Sequence, residues 1–257
     1  MSRPIIRRMK PEEEELLRKR EELAALRATL AERELELVDL RSELTAFEGR
    51  YLRQVGTLYA ELDEWKARIS ELEARLHPSP AATAQAEEAR EHARQTYEEA
   101  RGVASEAKDF TASPELKRMY REAAKRIHPD LATDAADRER RTRFMAEANR
   151  AYEAGDGESL KRILDEYEAG AEPVPGEGIG AELIRIIRQI SLAKTRLSAI
   201  DQELATLRNS EIALLKKQAE EKQQEGRDLL AELAAAVREE IDRAKKKYES
   251  LPKQERP

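Results

Sequence analysis

"LLRKREELAALRATLAERELELVDL", residues 16–40, places leucine at 16, 23, 30 and 37. Further steps of seven reach Leu44, Tyr51, Leu58, Trp65 and Leu72, so all nine positions are apolar or aromatic. A column held over that length is a helical packing seam rather than chance composition. Its companion begins three residues later, at Leu26, Leu40 and Phe47, and from Val55 onward it runs four residues later, through Leu62, Ile69 and Leu76. The steps Phe47, Tyr51, Val55 are therefore four and four, a stutter that relaxes the left-handed supercoil. The pattern predicts a coiled-coil helix over 11–77, about 100 Å long at 1.5 Å per residue. "HPSP" (77–80) ends it, because proline removes a donor and disfavours helix in the preceding residue.

A second coil is expected over 179–251. Leu183, Ile190, Leu197 and Leu204 alternate with Ile186, Ala193, Ile200, Leu207 and Leu214. That seam weakens at Glu211, Gln218 and Glu225 and resumes with Leu230, Leu233, Val237, Ile241, Ala244 and Tyr248. The organisation reads as a tail (1–10), the first coil (11–77), a linker (78–83), a small helical domain (84–170), a Pro/Gly linker (171–178), the second coil (179–251) and a tail (252–257). Two nearly equal coils flanking a small domain favour an antiparallel hairpin within one chain, with Leu72 and Leu76 near Leu183 and Ile186. The rival is a parallel homodimer built on the coils. The expected fold class is all-α.

Composition narrows the function. Of 257 residues, 39% are charged and 4% aromatic, too polar a chain for one large globular core. The absence of cysteine excludes disulfides and thiolate metal sites. His77, His92 and His128 are scattered, His77 and His92 read as solvated helix residues, and no metal or cofactor is expected. The opening "MSRPIIRRMKPEEEE" turns acidic without an apolar stretch, so it does not read as a secretory signal, and no apolar run is long enough for a membrane span. A cytoplasmic protein without membrane association is expected. Net charge −6 and few aromatics argue against nucleic-acid binding despite "KKK" at 245–247. No phosphate loop, zinc-protease helix or nucleotide fingerprint is present, so the chain is not expected to be an enzyme. Trp65, on the seam, reads as core.

Between the coils, "AQAEEAREHARQTYEEARGVASEAK" (84–108) predicts a helix rich in Ala and Glu. "SPELKRMYREAAKRIHPD" (113–130) predicts the next, with Ser113 as N-cap and Pro114 and Glu115 in the first turn. Leu116, Tyr120, Ala123 and Ile127 make its apolar stripe. Lys117, Arg118, Arg121, Lys125 and Arg126 make a cationic face. Proline stops this helix at His128-Pro129-Asp130, which is expected to display His128 and Asp130 to solvent. Thr133 or Asp134 can cap a further helix that places Phe144, Met145, Ala148, Ala151 and Tyr152 on one side and ends at Gly155. A fourth short helix uses Leu160, Ile163, Leu164 and Tyr167.

Residues 88–168 resemble a J domain, the signature of DnaJ-type co-chaperones. The resemblance is carried by Tyr120 eight residues before the histidine, the basic helix, His128-Pro129-Asp130, and "MAEANRAY" (145–152). It implies that the loop and the basic helix dock on a DnaK-type chaperone and stimulate its ATP hydrolysis. Asp130 and His128 would make the directional contacts, with Pro129 fixing their geometry. Lys117, Arg118, Arg121, Lys125, Arg126 and Tyr120 would complete the chaperone-binding site. Three features depart from the pattern: Leu131 stands where the family usually has a basic residue, Met145 occupies the usual phenylalanine register, and the short Tyr-Ile-Leu-Gly first-helix pattern is missing. No Gly/Phe-rich linker, zinc repeat or β-rich substrate domain is present, so a client or complex would be held by the coils. The alternative is a coiled-coil scaffold whose J-like insert no longer engages a chaperone.

Overall fold

The computed structural model describes residues 10–104, 111–132, 134–169 and 178–252, and among these the chain is all-α. The two terminal tails (save Lys10 and Pro252), the linker 171–177 and the candidate cap Thr133 lie outside the described residues. The helices are α1 (Pro11–Tyr51), α2 (Thr57–Leu76), α3 (Pro80–Ala104), α4 (Pro114–Ile127), α5 (Ala135–Glu153), α6 (Gly157–Ala169), α7 (Ile179–Arg208), α8 (Glu211–Gln224) and α9 (Leu229–Ser250). They form two compact units. One comprises the chain up to Ser42 with α4–α7, and the other comprises Glu43 onward through α3 with α8 and α9.

In the first unit α1 and α7 pair side by side and run parallel. Leu16 and Leu23 cluster with Leu183, Ile186 and Ile190, and further along Leu30 and Leu37 cluster with Ala193, Ile200 and Leu204. Polar pairs flank the seam at a constant offset: Arg20 with Glu182, Arg27 with Gln189, Glu34 with Arg196, and Arg41 with Glu203, each 162 residues apart. This corrects the antiparallel hairpin. Leu183 and Ile186 meet Leu16 and Leu23. The cause is position-by-position pairing beside the seam, which summed coil charges do not register.

The second unit is built on α2. α3 runs back antiparallel along α2: Thr96 donates to Asp63 at 3.1 Å, while Arg90 pairs with Glu64 and with Glu71. Ala86, Ala93 and Ala100, seven residues apart, are buried, as are Ala60 and Ala67 on α2. Small side chains at both surfaces allow a close approach. Residues 84–104 therefore belong with α2, rather than forming the first helix of the small domain expected at 84–170. α9 runs parallel to α2, with Lys245 Nζ 2.9 Å from Glu61 and the Trp65 and Tyr248 rings 5.7 Å apart, edge to face. Lys247 pairs with Glu73 at 2.8 Å, so the lysine run is partly engaged rather than wholly solvated.

Neither coil is one uninterrupted helix. The stutter becomes a π-helical turn at Leu52–Gly56, where a wider turn absorbs the register change. The second coil breaks into α7, α8 and α9. Ser210 and Asp228 cap the new starts through their side chains, and Gly226 adopts φ 76°. α8 buries none of its side chains, in keeping with the weak seam from Glu211 to Glu225.

The parallel register is testable with cysteine pairs, since the chain has none of its own. Leu30→Cys with Ala193→Cys, or Leu37→Cys with Ile200→Cys, is expected to form an intrachain disulfide, visible as a fast-migrating monomer on a non-reducing gel. The opposite-register pair Leu16→Cys with Leu204→Cys is expected to form none, because disulfides require Cα separations of about 4.4–6.8 Å. Efficient cross-linking of that control alone would overturn the parallel assignment.

Candidate functional site

α4 begins where local chemistry predicts. Ser113 accepts the Leu116 amide at 3.1 Å and Pro114 occupies the first helical turn. Its apolar stripe, Leu116, Tyr120, Ala123 and Ile127, packs on Phe144, Met145, Ala148 and Tyr152 of α5 and on Leu160 and Ile163 of α6. Tyr120 is fully buried: its hydroxyl donates to Asn149 at 2.7 Å and its ring lies 4.9 Å from that of Tyr152. It therefore holds α4 to α5 from inside the core. Ala31, Leu35 and Val38 of α1 close the same core, filling the place expected for the helix at 84–108.

The helix stops at Ile127, and Pro129–Leu131 form a single 3₁₀ turn. Arg141 of α5 satisfies carbonyls left by the stop, donating to Arg126 O at 2.8 Å and His128 O at 3.4 Å. Asp134 caps α5 by accepting the Asp137 amide at 2.8 Å. The His-Pro-Asp loop thus sits between two capped helix ends.

The loop is not displayed to solvent as expected from the sequence. His128 retains 2% exposure. Its Nδ1 accepts the Asp130 amide at 3.1 Å, which assigns the ring proton to Nε2, and Nε2 donates to Glu34 Oε1 of α1 at 3.0 Å. Arg196 of α7 donates to the same carboxylate, from Nε at 2.7 Å and Nη2 at 3.2 Å. The Asp130 carboxylate accepts from Arg138 at 3.1 Å and its side chain is 13% exposed. The proline stop falls where the sequence places it, but sequence periodicity does not register the wall of the α1–α7 pair against which the loop rests.

Leu131 explains that contact. It is buried in the coil seam with Leu16, Leu23, Ile186 and Ile190, and its carbonyl accepts from Gln189 Nε2 at 2.7 Å. Gln189 Oε1 in turn accepts from Arg27 at 3.4 Å, and Arg27 Nε has no hydrogen-bond partner among the described residues. Burial and the nearby Arg141 hold the Arg27 guanidinium below its usual basicity.

The cationic face divides in two. Lys117 pairs with Asp39 of α1, and Arg121 lies 3.5 Å from Glu32 of the same helix. Arg118 and Arg126 are exposed and Lys125 is half-buried, and they pair with Glu115, Glu168 and Glu122 respectively. Tyr152 donates to Asp39 at 2.8 Å, so one carboxylate serves both core and face. Sequence reasoning thus places His128, Pro129 and Asp130 just past the end of α4 beside Lys125 and Arg126, with Arg118 near the start of the same helix. It misses Glu34, Arg196, Gln189 and the anchoring role of Leu131. Glu34 and Arg196 occupy matching positions beside the two seams, which was the available signal. Among the described residues no three His, Asp or Glu side chains come together as a metal site, and no helix is long and apolar enough to cross a membrane.

No family model, curated protein or solved structure matches the chain.

Glu34→Ala removes the acceptor shared by His128 and Arg196, and is expected to cost about 2–3 kcal/mol in thermal or chemical melts. Burial pushes the Glu34 carboxyl up, but hydrogen bonds from His128 and Arg196 outweigh it and hold it below the usual range. A depressed carboxyl contributes stability that is complete above its unfolded value of about 4.3 and is lost as pH falls through its lower folded value. The stability advantage of the wild type over Glu34→Gln should therefore shrink below about pH 4. An advantage that persists on acidification would remove Glu34 from this role.

Proposed function

We propose that the chain is a J-type co-chaperone. It stimulates ATP hydrolysis by a DnaK-type chaperone and brings that chaperone to a client or complex held by the coils. One observation carries the reading: α4 and α5 pack through Tyr120 and Tyr152 with His128-Pro129-Asp130 between them, beside the half-buried Lys125 and the exposed Arg126, and α4 also carries the exposed Arg118. A rigid turn offers directional polar contacts, and the cations steer an acidic partner surface towards it. The catalysis is the partner's own, no cofactor is involved, and the setting is cytoplasmic.

The burial of His128 favours a second reading, a coiled-coil scaffold in which the loop is only a structural joint. A steady-state ATPase assay with a DnaK-type partner separates them. The wild type is expected to accelerate turnover, and Asp130→Asn and His128→Gln to lose at least about tenfold of that acceleration, since each removes a charge-assisted or directional contact. Acceleration that is the same in all three proteins would count against the co-chaperone reading, and acceleration by none of them would leave the scaffold reading standing.

A further inference from the structure

The co-chaperone reading leaves a conflict. The groups that would engage a partner are already engaged within the chain. Both ring nitrogens of His128 have partners, the Asp130 amide is one of them, and Arg138 holds the Asp130 carboxylate. Leu131, next in sequence, is inserted among Leu16, Leu23, Ile186 and Ile190. Lys117 and Arg121 lean on Asp39 and Glu32.

We infer that the α1–α7 pair is an autoinhibitory clamp: it holds the His-Pro-Asp loop closed, and a chaperone engages the loop only after it leaves the α7 side of the pair. This rests on the co-chaperone reading. α1 belongs to the α4–α5 core through Ala31, Leu35 and Val38. α7 meets the loop through Gln189 and through Ile186 and Ile190 around Leu131, and it acts on His128 indirectly through Arg196, which shares the Glu34 carboxylate. Losing the α7 contacts leaves the loop held only by α1, through Glu34 and the packing of Leu131 on Leu16 and Leu23, while the core around Tyr120 stays intact.

The closed contact also holds polar groups under poor terms. Gln189 is buried beside the apolar seam, and Arg27 next to it has a buried Nε without a partner among the described residues. Such groups cost free energy that exposure to water returns. Leu131 and the Glu34 network hold the loop against that cost. The balance places opening within reach of a binding partner, whose apparent affinity falls by the fraction of molecules that are open.

The test uses the full chain, with two opening variants and a locked form made with either of two cysteine pairs. Leu131→Lys puts a charge into the seam, and Gln189→Ala removes the hydrogen bond to the loop. The locked form carries Leu131→Cys, paired in turn with Ile186→Cys and Ile190→Cys. Loop exposure is read by diethyl pyrocarbonate labelling of His128, with His92, 67% exposed at its side chain, as internal reference. Chaperone stimulation is read by steady-state ATPase activity.

Each opening variant is expected to raise both His128 labelling and stimulation by about tenfold. The oxidised locked form is expected to show neither, and reduction to restore both. A helical circular dichroism spectrum in both opening variants guards against simple unfolding. Equal stimulation by wild type, opened and locked forms, or His128 labelling unchanged in Leu131→Lys, overturns the clamp and leaves the co-chaperone reading intact. Stimulation by none of them, with His128 labelled in the opened variants, overturns that reading and the clamp with it.

Discussion

The carboxylate of Glu34 joins three pieces of chain that local sequence rules treat separately. It lies on α1, accepts from the ring that begins the His-Pro-Asp turn, and accepts from Arg196 on α7. A buried carboxylate needs full hydrogen-bond compensation, and here two cationic or polar donors supply it from two different elements. Arg196 also donates to Glu203, which accepts from Arg41, so the same chain of contacts continues across the paired helices. Shifting α7 by one residue would break these pairs together. The register of the coil and the position of the turn are thus set by one network.

That network explains why the coil is parallel. Apolar seams alone are nearly indifferent to direction, because Leu, Ile and Ala pack acceptably either way. The flanking positions discriminate: Arg20, Arg27, Glu34 and Arg41 meet Glu182, Gln189, Arg196 and Glu203 in one order only. Net charges over whole coils average this information away.

Much of the architecture was legible because it is periodic or because proline and capping residues dictate it. The heptads of α1, the stutter that becomes the turn at Leu52–Gly56, the cap at Ser113, the stop at His128 and the turn at Gly155 all follow from rules acting over a few residues. What was not legible depends on long-range contact. Ala86, Ala93 and Ala100 form a seam of small residues that composition makes look like a generic polar helix. His128 and Asp130 looked exposed because a proline-stopped turn usually is. The meeting of Leu131 with four seam residues far away in sequence, together with the contacts of His128 with Glu34 and of Asp130 with Arg138, buries them.

Leu131 therefore changes meaning between the two levels. In the sequence it is an apolar residue where a J-like pattern usually carries a basic one; in the fold it is the side chain that seats the turn against the coil. A lysine there would carry a charge into an apolar seam and could not be accommodated without the loop withdrawing. On the proposed reading, the residue that departs from the pattern is also the one that regulates access to it. Coil stability and loop availability then become opposing quantities in one equilibrium. A partner can shift that equilibrium only by its greater affinity for the open form, and whatever loosens α7 from α1 lowers the affinity it needs.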